Sequence, residues 1–60
     1  MKQFDSIGGA HKYAENSSRK HSEDRYVVKA LTTYYVVSNI NQIDDLETII
    51  AHYKNGEKVG

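Results

Sequence analysis

The run YVVKALTTYYVV, from Tyr26 to Val37, is the densest apolar stretch of the chain and the feature that most limits what it can fold into. Any core has to be built around it. Residues 1–24 offer only Met1, Phe4, Ile7, Ala10, Tyr13 and Ala14 as apolar side chains, against sixteen in residues 25–53. Two readings of the run compete. As a helix, Arg25, Lys29, Thr32 and Thr33 make a polar stripe opposite Val27, Ala30, Leu31 and Tyr34, and Ser22 followed by Glu23 and Asp24 supplies a start. As strands, the run has the right residue types: Tyr26, Val27, Val28, Thr32, Thr33, Tyr34, Tyr35, Val36 and Val37 are β-branched or aromatic and lose rotamer freedom in a helix. A single strand of that length would be unusual, so the β reading requires a reversal near ALTT. We expect a β-hairpin over residues 25–38, with a two-helix hairpin as the alternative.

Further on, NQIDDLETIIAHYKNG spaces Ile43, Leu46, Ile49, Ile50 and Tyr53 by threes and fours, which predicts an amphipathic helix over residues 42–55. Asn41 is placed to cap it, Asp44 and Asp45 put negative charge in its first turn, Lys54 lies near its negative end, and Gly56 provides a left-handed stop. The expected fold is thus a small α+β domain of residues 25–60, a hairpin followed by a C-terminal helix. Residues 1–24 are expected to be a flexible, mildly basic segment, with Gly8 and Gly9 as a hinge and ENSSRKHSED as polar loop.

The stretch IDDLETIIAHY resembles the last helix of SH2 domains, and RYVVKA and YYVV stand where that family has two paired strands. The resemblance covers about half of this chain and implies the same order, strands and then a helix. Ile43 replaces the family's aromatic, and nothing before Arg25 matches the strand arginine, in a motif close to FLVRES, that grips phosphotyrosine. No residue here inherits that activity.

A chain of 60 residues buries only about 60% of its unfolded surface, so oligomerisation is the expected remedy where no cysteine is present to form a disulfide. No apolar run has the length of a signal peptide or a membrane span, and a cytoplasmic protein is expected. Eight basic and eight acidic residues cancel, which leaves no overall field to attract nucleic acid or an anionic membrane. The local exception is HKYAENSSRKH, whose Lys12, Arg19 and Lys20, with Arg25 beyond, are the candidate nucleic-acid contacts.

Five tyrosines are many for this length. Most are expected in the core, but adjacent strand residues face opposite ways, so one of Tyr34 and Tyr35 must look outward. Tyr34, Tyr35 and Tyr26 are therefore the candidate partner-binding residues, because tyrosine joins a large contact area to a hydroxyl. His11, His21 and His52 lack a zinc-like spacing and have no cysteine to complete one, so neither metal nor cofactor is expected. Ser17, Ser18 and Ser22 lie near His21 and Asp24 in sequence, but a flexible segment would not hold a catalytic triad. The expected function is a non-enzymatic regulator, such as an inhibitor, adaptor or antitoxin-like chain of the kind phages and mobile elements encode. It would bind another protein and rest as a homodimer. The alternatives are a nucleic-acid-binding regulator and a structural subunit of a larger assembly.

Overall fold

Where a flexible arm was expected, the computed structural model, which describes residues 2–43 and 47–60, has a strand and a helix. The elements run β1 (Lys2–Phe4), α1 (Ile7–His21), β2 (Asp24–Ala30), β3 (Thr33–Val37), a 3-10 turn (Ile40–Gln42), β4 (Thr48–Lys54) and β5 (Glu57–Lys58). The five strands form one antiparallel sheet in the order β1-β3-β2-β4-β5. The helix precedes the main sheet, which corrects the expected order of hairpin followed by C-terminal helix. Both hinge glycines lie in α1.

Helix α1 starts at Ser6, whose extended backbone and side-chain oxygen, accepting from the Gly9 amide, make an N-cap. It ends at Ser22 in the left-handed conformation, with Arg19, Lys20 and His21 in the last turn, where positive charge suits the helix dipole. The face it buries is Ala10, Ala14 and Ser18, spaced by fours. These small side chains let the helix lie close on the sheet, where Val27, Val36, Ala51 and Tyr53 complete the core and Phe4, Tyr34 and Ile50 pack at its margins. Counting large apolar residues misses such a face.

Strands β2 and β3 pair antiparallel, with Val28 opposite Tyr35 and Lys29 opposite Tyr34, and the chain reverses at Leu31 and Thr32. Leu31 takes a positive φ of 55° there and is 92% exposed.

The expected helix of residues 42–55 is corrected to a strand where it is described. Residues 48–54 form β4, which pairs with β2 from Asp24–Lys54 to Lys29–Thr48. The register slips between Val27, opposite Ala51, and Val28, opposite Ile49, so Ile50 is an extra residue in β4. The bulge explains the misleading periodicity. Ile49 is 46% exposed, while Ile50, Ala51 and Tyr53 all pack toward α1, and an inserted residue turns the strand period of two into a spacing of three. Residue identity favours the strand too, since Thr48, Ile49, Ile50 and Tyr53 are β-branched or aromatic. Asn55 and Gly56, at φ 53° and 83°, are a two-residue hairpin turn between β4 and β5 and do not stop a helix. The cap in this region is Asn39, which accepts from the Asn41 amide and starts the 3-10 turn. Asp44, Asp45 and Leu46, assigned above to a first helical turn and its apolar stripe, lie outside the described residues. With the helix goes the resemblance to the closing SH2 helix.

Candidate functional site: a cationic groove and an open sheet face

The sheet has two faces, and strand alternation assigns the tyrosines to them. Tyr34 belongs to the helix side with Phe4, its partner across β1 and β3. Tyr35 and Tyr26 belong to the other side, where each is half-buried, with Val28 and Val37 directly opposite them and fully or almost fully buried. Tyr26 also stacks on His52 of β4, ring centroids 4.4 Å apart and planes 22° from parallel. His52 Nε2 lies 2.9 Å from Asp24 Oδ1, so β2 holds that imidazole from two sides. The open face thus presents Tyr26, Tyr35, His52 and the exposed Ile49.

On the helix side, burial and, secondarily, the charge of Glu15 raise Tyr53 above the ordinary tyrosine range. Its hydroxyl lies 2.7 Å from His11 Nδ1. The neighbouring hydroxyl, Ser18 Oγ, donates to the Glu15 carbonyl and accepts from the Gly56 amide. Both pairs tie α1 to the β4–β5 hairpin. They account for His11 and Ser18 structurally.

The four basic residues proposed from the sequence do not converge. Arg19 lies on the flank of α1 facing Gly56 and Glu15, with Nη2 3.7 Å from Glu15 Oε2. Lys12 is exposed on the outer face of the helix. Lys20 and Arg25 are brought to the opposite flank, where a groove of about 240 Å³ opens between the last turns of α1, β1 and the end of β3. Lys2, Arg25 and His21 line it together with Tyr13, Ser17, Val36 and Ser38. Lys20 and Asn16 line an adjoining depression of about 180 Å³ that shares Tyr13, Ser17 and His21 with the first.

Arg25 is the fixed member of this group. Its Nε donates to Ser17 Oγ at 3.0 Å and its Nη1 to the Asp24 carbonyl at 2.8 Å, while its side chain is only 13% exposed. Glu23 Oε2 approaches Nη1 no closer than 3.8 Å and is itself mostly in solvent. Sequence reasoning found Arg25 and Lys20 but not Lys2, His21 or Ser38 as members of a site. No local signal marks them, because pairing of β1 with β3 and the end of α1 bring them together.

Among the described residues no cluster of three or more histidine, cysteine, aspartate or glutamate side chains could hold a metal, and no helix is long and apolar enough to cross a membrane. Comparison with known proteins returned no family model, no curated protein and no solved structure that matches this chain.

Proposed function

We propose that this chain is a small non-enzymatic regulatory protein that binds another protein through the sheet face away from α1, with a homodimer as its resting state. One observation carries this reading. The helix occupies one side of the sheet, while on the other Tyr26 and Tyr35 stay half-exposed and Ile49 is 46% exposed among the described residues. Aromatic and aliphatic side chains projecting from a rigid sheet are the usual anchors of protein contacts, and here they surround Val28 and Val37, which are already buried on the same face. Partner specificity would come from Tyr26, held in place by its stack on His52.

Substitutions of the neighbouring tyrosines separate binding from folding. Tyr35→Ala should weaken dimer or partner association by about 2 kcal/mol with little change in unfolding temperature. Tyr34→Ala, on the helix side, should cost about 2–3 kcal/mol of stability and leave association of the folded fraction unchanged. Light scattering for mass and thermal unfolding of both variants read the two effects. A monomeric wild type that binds no protein, or equal effects of the two substitutions, would overturn the reading. The nucleic-acid alternative predicts a steep loss of binding with added salt, which apolar contact through Tyr35 does not.

A further inference from the structure

The groove beside α1 differs from the open face in being lined by Lys2, His21 and Arg25. We propose that it binds a phosphate-type oxyanion, either free or as the phosphate of a small phosphomonoester, with Arg25 as the fixed donor and Lys2 and His21 reaching over the ligand.

Three features of the groove converge on this chemistry. The first is charge. The protein has no net charge, with eight basic and eight acidic residues, yet among the described residues no carboxylate lines the groove or its neighbour, while Lys2, Arg25 and Lys20 do, with the imidazole of His21 beside them. A local excess of this kind in a neutral molecule attracts a small anion without attracting polyanions to the whole surface. The second is the state of Arg25. A largely buried guanidinium normally has a close carboxylate, because removing an unpaired charge from water is costly. Among the described residues the one carboxylate paired with it is Glu23, whose Oε2 is 3.8 Å away and mostly exposed, so that partner compensates the charge of Arg25 poorly. The bonds to Ser17 and Asp24 fix the guanidinium before any ligand arrives, which lowers the ordering cost of binding. The third is the set of donors. Tyr13, Ser17 and Ser38 join the basic residues around a space of about 240 Å³, room for a phosphate with a small substituent, although the Ser38 hydroxyl already donates to Gln42 Oε1. The adjoining depression, with Lys20 and Asn16, continues the path such a substituent would follow.

The basic residues at the end of α1 also suit the helix dipole, and a purely structural role would explain Lys20 and His21. It does not explain Lys2, which comes from β1, and Arg25, from β2, has besides its tie to Ser17 of α1 a charge that Glu23 compensates poorly. The groove also lies on the helix side of the sheet, so its occupancy and the proposed protein contact can fail independently.

The test is a two-dimensional amide NMR titration of the full chain with inorganic phosphate, with glycerol phosphate, and with chloride at matched ionic strength. Saturable shifts at Lys2, Ser17, His21, Arg25 and Ser38 are expected with the phosphate ligands and not with chloride. Lys2→Gln and His21→Gln change exposed side chains and should keep the fold, and each should weaken binding by about tenfold, the loss of one charge-assisted hydrogen bond. Arg25→Gln should abolish saturation. If that variant does not fold, the Lys2 and His21 variants decide alone. Tighter binding of glycerol phosphate than of inorganic phosphate assigns the site to a phosphomonoester, and the reverse order assigns it to free phosphate. Shifts that never saturate, that chloride reproduces, or that persist unchanged in Lys2→Gln and His21→Gln overturn the proposal.

Discussion

Ser18 Oγ, on the buried face of α1, accepts a hydrogen bond from the backbone amide of Gly56 at 2.9 Å, so the helix is fastened to the turn of the last hairpin. The same hydroxyl donates to the Glu15 carbonyl at 2.9 Å and is fully buried. Ser18→Ala keeps the helix propensity high but leaves the buried Gly56 amide without its acceptor, a loss of about 1–3 kcal/mol. Asn16→Ala, at an exposed position of the same helix, should change stability by about 0.5 kcal/mol or less. Urea unfolding of the two variants makes the comparison. Equal midpoints would mean that α1 is not docked as described.

Tyr53 gives a prediction in pH. Its hydroxyl, 2.7 Å from His11 Nδ1, is held protonated above the usual value of 10.0 by burial first and by the charge of Glu15 second. Above about pH 10 the unfolded chain releases this proton while the folded chain keeps it, so the contribution of Tyr53 to stability is complete below that pH and falls as pH rises. Tyr53→Phe should lose about 1 kcal/mol near neutrality, with the hydrogen bond, and should decline less steeply than the wild type from pH 9 to 11. Denaturant titrations across that range measure the difference. Parallel curves would remove Tyr53 as the source.

How much of this was legible in the sequence depends on how each signal is carried. The strands of the run from Tyr26 to Val37 were readable because β-branched and aromatic residues lie along its length, and the pairing of β2 with β3 uses them. Helix α1 was not, because its buried face is Ala10, Ala14 and Ser18, two small apolar side chains and a polar one that make no strong amphipathic stripe. Ser6 was the missed start signal. Strand β4 was misread because its bulge at Ile50 placed Ile50 and Tyr53 three apart on one face, as a helix would. The dipeptide Asn55–Gly56 is a strong hairpin signal that also suits the end of a helix. Of the groove the sequence marks only Arg25 and Lys20, because Lys2 and Arg25 are neighbours only after β3 has paired on both sides.

Leu31 sits at the tip of the β2–β3 turn with φ 55° and 92% of its surface in water. A branched side chain in the left-handed region costs about 1 kcal/mol, and here no packing offsets it. Leu31→Asn, a residue that tolerates this conformation, should raise stability by about 0.5–1 kcal/mol. Thermal unfolding reads this as a small increase in midpoint. A decrease would show that the leucine makes a contact worth more than its strain.

Asn55 provides a test in which the sign of the effect separates a hairpin from a helix. In the structure Asn55 and Gly56 both have positive φ, 53° and 83°, between β4 and β5. Asparagine and glycine tolerate that region and alanine does not, so Asn55→Ala should destabilise by about 1 kcal/mol. In the last turn of a helix the same change would raise helix propensity and stabilise by about 0.5 kcal/mol. Gly56→Ala should cost about 1–2 kcal/mol from its backbone angle, and a Cβ there would also come within 2.6 Å of Arg19 Nε. Arg19 is mostly exposed and can move aside, so pairing Gly56→Ala with Arg19→Ala should recover only a small part of the cost. Chemical denaturation of Asn55→Ala, Gly56→Ala and the double variant supplies every term of this comparison. A stabilised Asn55→Ala would overturn the hairpin, and full recovery in the double variant would make the Gly56 effect a clash with Arg19 and not a demand of the turn.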